Sequence, residues 1–191
     1  MLVSTPTLGA ELEQRGLPHW KLWTRGIDHD LFRPGHAPLP ELGSYPGPVL
    51  LYVGRIAPEK NLPLFLDAAV PGHKVVVGDG PDLEALRKRY PEVTFLGALT
   101  GAALARAYCS ADVFVFPSRT DTFGLVLIGA LDEDLAQAIH KALRLDGLAA
   151  AVVGAGYSWE RATDQFLTAL QDAALTPAAA SPQRPRTKAA A

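Results

Sequence analysis

The chain has 191 residues, 48% hydrophobic and 20% charged, a composition that is ordinary for a globular protein with a core of its own. Its 18 basic and 20 acidic residues give a formal net charge of −2, so no overall electrostatic attraction to nucleic acid or an anionic membrane is expected. The single cysteine, Cys109, excludes an intrachain disulfide, and we expect a small buried hydrophobe there rather than a reactive thiol.

No targeting or membrane-spanning segment is predicted from the sequence. The chain has no apolar run of about 18 residues, and residues 1–16 lack the charged and apolar regions of a signal peptide. We therefore expect a cytoplasmic protein.

The five histidines form neither a close pair nor a ligand spacing with the cysteine, so no metal site is predicted.

The first 48 residues read as an entry segment. We predict a short strand, a helix over Thr7–Arg15 that ends at Gly16, and a strand around Lys21–Trp23. A loop rich in Pro and Gly follows from Arg25 to Pro48.

The core of the predicted fold begins at a continuous apolar run, Val49–Val53, bounded by Pro48 and Gly54. Such a run is typical of a strand buried on both faces of a parallel sheet. Three more strands are predicted at 74–77, 93–95 and 113–116. Since helical segments separate them, we predict an α/β fold: a Rossmann-like, mostly parallel sheet of four or five strands with helices on both faces.

Helices are predicted between and after these strands. They are a helix capped by Asn61, one opened by Pro81, one from a Thr100 cap through Tyr108, and periodic segments at 131–145 and 158–170. The tail from Thr176 is rich in Ala and Pro and is predicted to be disordered.

Two cations follow the first core strand. Arg55 comes directly after Gly54, and Lys60 lies at the start of the next helix. Cations beside helix N–H groups can form a diphosphate site. The alternative is that both side chains are merely solvated loop residues.

Gly78-Asp79-Gly80-Pro81 follows the second strand but is not a dinucleotide fingerprint, because Leu83 stands where the third glycine is required. A turn and a close approach of backbone to ligand are both compatible with it. Pro117–Gly124 follows the fourth strand and contains Asp121. That carboxylate either points at sugar hydroxyls or is an ordinary helix N-cap.

As a set, these motifs resemble family 4 of the GT-B glycosyltransferases, especially its lipid-directed mannosyl- and sulfoquinovosyltransferases. The motifs are Val-Gly-Arg…Glu-Lys-Asn (53–55, 59–61), Val-Gly-Asp-Gly-Pro (77–81), Val-Thr-Phe-Leu-Gly (93–97), Ala-Asp-Val-Phe-Val-Phe-Pro-Ser (111–118), Asp-Thr-Phe-Gly (121–124) and Trp-Thr-Arg-Gly-Ile-Asp…Phe-Arg-Pro (23–28, 32–34). The resemblance covers residues 3–172 with one break.

The resemblance implies a role for each matching residue. Arg55 and Lys60 would hold the donor diphosphate in place of a metal ion, so no cofactor is expected. Leu99 would lie near the nucleobase, and Asp121 would match the first acid of the family's E-x7-E motif. Backbone amides would contact sugar and phosphate at Thr122, Phe123, Gly124 and Leu125.

Two departures from the family pattern indicate that the chain is an incomplete member of the family. Residues 1–24 resemble only the end of an acceptor domain, and Gly129 stands where the second acid belongs. The chain then continues with a segment that normally lies further along, as after an internal deletion. We therefore expect a remnant (1–24), a linker (25–48), a nucleotide-sugar-binding domain one strand short (49–175) and a tail (176–191).

The functional hypothesis is a glycosyltransferase homologue that binds GDP-mannose or a UDP-sugar for retaining hexosyl transfer and is incomplete. Its full-length relatives would be free to contact a membrane peripherally. The alternative is a degenerate, inactive nucleotide-sugar-binding module that needs a partner to supply the acceptor domain. A dehydrogenase is a weak third interpretation, because the dinucleotide fingerprint fails.

Overall fold

The computed structural model describes residues 1–43, 45–118, 135–145 and 156–175. Their elements follow in the order β1 (Leu2–Val3), α1 (Pro6–Gln14), β2 (Lys21–Leu22), β3 (Val49–Val53), a 3-10 helix (Pro58–Lys60), α2 (Leu62–Leu66), β4 (His73–Val77), α3 (Leu83–Arg89), β5 (Thr94–Gly97), α4 (Gly101–Cys109), β6 (Val113–Phe114), α5 (Leu135–Ala142) and α6 (Trp159–Leu175). The chain divides into two compact units, one formed by Met1–Gly26 with the segment from Trp159 onward, the other by Ile27–Ser158.

The first unit contains α1, α6 and a parallel pair of short strands, β1 and β2. The Oγ1 atom of Thr5 accepts a hydrogen bond from the backbone N–H of Leu8 (3.1 Å), which caps α1. The helix ends before Gly16, whose φ of 84° lies in the left-handed region that favours glycine. The predicted helix and second strand of the entry segment are thus confirmed, with bounds shifted by one residue.

The second unit is built on a parallel sheet with the strand order β5-β4-β3-β6 among the described residues. β3 lies at its centre, and four of its five residues are buried, as expected for a strand covered on both faces. Val49 pairs with His73 and Val53 with Val77, so β3 and β4 begin and end together. The predicted α/β class and parallel sheet are confirmed.

Helices cover both faces of this sheet. On one face, Leu50 and Tyr52 of β3 belong to a core cluster to which α2, α3 and α5 contribute Phe65, Leu86 and Ile139. On the other face, residues of β3 and β4 cluster with α4 and with the loop before β3; the members include Leu51, Val75, Ala107, Leu39 and Leu42. Burial of alternate residues on opposite faces fixes the strand register, because a slip by one residue would exchange the two faces.

Several local predictions need correction. Asn61 does not cap α2 with its side chain; its φ of 52° places it in the left-handed region, where it joins the 3-10 helix to α2. α3 begins at Leu83 rather than Pro81, since the N–H of Leu83 first closes a turn onto the carbonyl of Gly80 (3.2 Å). Thr100 occupies the N-cap position of α4 without a side-chain cap bond.

Two further differences concern the later part of the chain. α6 extends to Leu175, five residues beyond the predicted end. Cys109 is half-buried rather than buried, and its Sγ lies 3.6 Å from the carbonyl oxygen of Arg33. The predicted disordered tail and residues 131–134 of the predicted helix lie outside the described residues.

Candidate functional site

The carboxyl ends of the parallel strands meet at one edge of the sheet in the second unit, which we call the carboxyl edge. The N–H of Gly54, after β3, donates to the carbonyl of Val77 (3.0 Å), and the N–H of Gly78 donates to the carbonyl of Gly97 (2.8 Å). The loops after β3 and β4 are therefore adjacent. In open parallel sheets, this edge is where ligands bind.

The loop of residues 54–61, here called the cation loop, packs backbone to backbone against the loop after β4. The N–H of Ile56 donates to the carbonyl of Asp79 (2.9 Å). A Cβ atom at Gly78 would collide with the carbonyl oxygen of Gly54, and one at Gly80 would collide with that of Ile56. Glycine is therefore required at both positions, which explains the Gly-Asp-Gly-Pro motif without a dinucleotide ligand.

Arg55 projects from the start of the cation loop. Its backbone carbonyl accepts a hydrogen bond from the Oη of Tyr52 (2.8 Å), while its side chain is 67% exposed. The Nη1 atom lies 3.5 Å from Oε1 of Glu59, a solvent-exposed ion pair that contributes little to stability. The backbone of Arg55 is thus fixed, and its guanidinium is accessible to an anion.

Lys60 ends the 3-10 helix on the same loop. Its side chain is half-buried, and its Nζ lies 5.8 Å from the centroid of the Phe116 ring, within the range of a cation–π contact. The structure therefore brings both predicted cations into one short loop. It also shows that α2 has only five residues, so the helix contribution expected beside them is small.

The remaining predicted site residues divide into described and undescribed ones. Leu99 is half-buried, two residues beyond the end of β5, and packs against the core cluster on the α4 face. Asp121, the amides of residues 122–125, and Gly129 lie outside the described residues. The described residues before them end at Ser118, which is buried and whose Oγ lies 3.5 Å from the carbonyl oxygen of Glu59.

In the ranges that the structure describes, no group of three or more His, Cys, Asp or Glu side chains is placed to hold a metal ion. Over those same ranges, no helix is long and apolar enough to cross a membrane.

A family comparison identifies the chain. Residues 47–170, which include the whole carboxyl edge, match the family described as Glycosyl transferases group 1. The chain belongs to this family. The match includes the cation loop and also the undescribed positions of the Asp121 motif.

Curated relatives of this glycosyltransferase chain are similar over most of its length. It is 35% identical over 148 residues to the sulfoquinovosyl transferase SQD2 of Arabidopsis thaliana, covering 70% of this chain and 29% of that protein. It is 38% identical over 137 residues to a GDP-mannose-dependent alpha-mannosyltransferase of Mycobacterium tuberculosis, covering 69% of this chain and 36% of the relative. The chain thus spans about a third of the length of these relatives.

Solved structures support the fold. A sucrose-phosphate synthase from Thermosynechococcus elongatus matches with a TM-score of 0.70 at 25% identity, covering 90% of this chain and 57% of the other. The apo form of the lipopolysaccharide outer core galactosyltransferase WaaB matches with a TM-score of 0.65 at 15% identity, covering 90% of this chain and 61% of the other. The predicted GT-B-type architecture is therefore confirmed.

The sequence did not predict the residues that contact the two cations. Tyr52, Phe116 and Glu59 were not predicted to contribute to the site. Tyr52 did carry a signal, since it places the one hydroxyl in the otherwise aliphatic run of 49–53. A buried hydroxyl needs a partner, and here the partner is in the cation loop.

Proposed function

We propose that this chain is the donor-binding part of a family 4 retaining hexosyltransferase that takes GDP-mannose or a UDP-sugar. The observation that supports it best is the cation loop, which carries Arg55 and Lys60 at the carboxyl edge of the sheet. The name of one relative specifies dependence on GDP-mannose. This is the reason for placing GDP-mannose first among the candidate donors.

The chemistry of the cation loop suits a leaving nucleoside diphosphate. Transfer of the sugar leaves negative charge on the diphosphate, and preorganised cations stabilise that charge as it develops. Arg55 offers a planar fork of donors, whereas Lys60 offers a compact positive charge. In this proposal, the two cations perform the neutralisation that a divalent metal ion performs in other transferases, and no metal is required.

Further contacts of the donor are assigned to the other residues of the family pattern. Leu99 would border the nucleobase from the end of β5. Asp121 would bind sugar hydroxyls, and the amides of Thr122, Phe123, Gly124 and Leu125 would contact sugar and phosphate. These assignments derive from the match of this segment to the family pattern.

We propose further that the 191-residue polypeptide by itself binds the donor but does not transfer the sugar. Gly129 replaces the second acid of the E-x7-E motif, which loosens the placement of the donor. Positioning of an acceptor hydroxyl against the anomeric carbon can contribute about 7–11 kcal/mol to catalysis. In this proposal, a partner that holds the acceptor would supply this positioning. The alternative is that the chain is a degenerate, inactive binding module.

Calorimetry tests donor binding. GDP, UDP and GDP-mannose are titrated into the chain with and without EDTA, and we expect binding at millimolar or lower concentration that EDTA does not change. The absence of any binding at millimolar nucleotide would refute the proposal, and loss of binding with EDTA would refute the metal-independent mechanism.

A radiolabelled-sugar assay over lipid acceptors tests the second proposal. We expect no transfer above donor hydrolysis from the wild-type chain, and tighter donor binding without transfer from Gly129→Glu. Turnover by the wild-type chain would show that it is a working enzyme.

A further inference from the structure

Two aromatic side chains, one from β3 and one from the segment just after β6, lie against the cation loop. Tyr52 belongs to β3 and is fully buried, and Phe116 lies two residues beyond β6 and is half-buried. Their ring centroids are 6.4 Å apart with an interplanar angle of 14°. The pair forms a stacked aromatic layer, which we call the aromatic platform.

The platform contacts the cation loop at both ends. The Oη of Tyr52 donates to the carbonyl of Arg55 at 2.8 Å, which fixes the peptide that carries the first cation. The face of Phe116 receives Nζ of Lys60 at 5.8 Å from the ring centroid. A Cβ atom at Gly54 would lie 2.8 Å from the Oη of Tyr52, so a larger residue there would crowd the hydroxyl.

We infer that Tyr52 and Phe116 are positioning residues that hold Arg55 and Lys60 ready for the donor diphosphate. The inference rests on the proposed function. Tyr52 bonds to the backbone of Arg55, and Phe116, which stacks on Tyr52 and Phe114, also lies against the cationic head of Lys60. Neither is assigned a contact with the donor.

The aromatic platform should strengthen nucleotide binding because it preorganises the two cations. Ordering a long cationic side chain on binding costs conformational entropy, and a site that holds the cation beforehand avoids part of that cost. The free energy of a cation–π contact near the surface is comparable with that entropic cost. Loss of either support should therefore weaken the affinity for GDP or UDP by about two- to ten-fold.

The central test compares Phe116→Leu with Phe114→Leu. Phe114 is the last residue of β6, two residues before Phe116, stacks on Phe116 at 6.2 Å and is also half-buried, but its other ring contact is Tyr108 instead of Lys60. By calorimetry with GDP and UDP, we expect Phe116→Leu to weaken binding by about two- to ten-fold and Phe114→Leu to leave it unchanged. In a Lys60→Ala background, Phe116→Leu should have no further effect.

Tyr52→Phe tests the other contact against Tyr90→Phe. Tyr90 is also buried, and its Oη donates to Oδ1 of Asp67 at 2.8 Å, away from the cation loop. Both variants lose one phenolic hydrogen bond, but only Tyr52→Phe should weaken nucleotide binding and shift the NMR signals of the Arg55 carbonyl and the Ile56 amide. Equal effects on binding from either matched pair would overturn the inference, as would tighter binding by Phe116→Leu.

A ligand-free measurement separates this inference from the proposed function. The ring current of Phe116 should move the ε-methylene protons of Lys60 upfield, and the shift should vanish in Phe116→Leu but remain in Phe114→Leu. If that shift is present but neither GDP nor UDP binds, the proposed function fails and the platform is only structural. If the shift is absent in the wild-type chain, the platform itself is wrong.

Discussion

The two ends of the sheet in the second unit use their polar side chains differently. At the amino edge, where the strands begin, side chains bond to the protein itself. Oδ2 of Asp112 accepts from the N–H of Val49 (2.8 Å), and Nε2 of His73 pairs with Oγ1 of Thr94 (2.8 Å). Without Asp112, the N–H of buried Val49 would lose this acceptor.

At the carboxyl edge, backbone groups satisfy one another instead. Gly54 bonds to Val77 and Gly78 to Gly97 through their main chains, so few side chains are needed to complete the strand ends. The side chain of Arg55 is left 67% exposed. Polar side chains at the amino edge therefore stabilise the fold, whereas the guanidinium of Arg55 at the carboxyl edge is accessible to a ligand.

The largest expected effect is the loss of nucleotide affinity when a cation at the carboxyl edge is removed. Each of Arg55→Ala and Lys60→Ala removes one charge-assisted phosphate contact of about 1.5–3 kcal/mol, which is about ten- to a hundred-fold in affinity. Calorimetry with GDP and UDP measures the loss, and thermal unfolding should show little change. Lys88→Ala, an exposed cation on α3, is the control. Equal losses in all three variants would mean that net charge, not the cation loop, determines binding.

The next largest effect is a loss of stability when a hydrogen bond at the amino edge is removed. Asp112→Ala leaves the N–H of buried Val49 without its acceptor and should lower the free energy of unfolding by about 1–3 kcal/mol. Asp112→Asn keeps an acceptor oxygen and should lose less. Urea denaturation measures both. Donor affinity should be unchanged in either variant, and a ten-fold loss of affinity would contradict the division between the two edges.

A smaller effect on donor affinity is expected from the ion pair between Arg55 and Glu59. Glu59→Gln removes the exposed ion pair that competes with the donor for the guanidinium, and donor affinity should rise by about two- to five-fold. Glu84→Gln breaks a comparable exposed pair with Arg87 and should leave affinity unchanged. Weaker binding by Glu59→Gln would show that the carboxylate orients Arg55 toward the donor.

The smallest effect concerns pH at the amino edge. Burial lowers the pKa of His73 below its ordinary value of 6.5, and the ring of Tyr45 stacks on it at 3.4 Å. Because the folded state favours the neutral imidazole, its contribution to stability is complete above about pH 6.5 and is lost as the pH falls toward the lowered pKa.

Thermal unfolding at neutral and mildly acidic pH measures this dependence. His73→Gln should lose less stability on acidification than the wild-type chain, while exposed His29→Gln should behave like wild type. Identical pH profiles for all three proteins would exclude His73 as a source.

The sequence predicted those features that depend on local pattern. The continuously apolar residues at 49–53 and 75–77 indicated buried parallel strands. The support of Lys60 by Phe116 was not predictable, since it depends on which strands become neighbours. Asn61 was misread as a side-chain cap because the sequence does not reveal its left-handed turn.

The most direct test of the division between the edges is an amide NMR titration with GDP and UDP. We predict that the amide signals of residues 54–57, 59–61, 78–80 and 82 shift in a saturable manner, while those of 49, 73–74 and 110–112 stay in place. Shifts concentrated at residues 49, 73–74 and 110–112, or no shifts at millimolar nucleotide, would contradict the account.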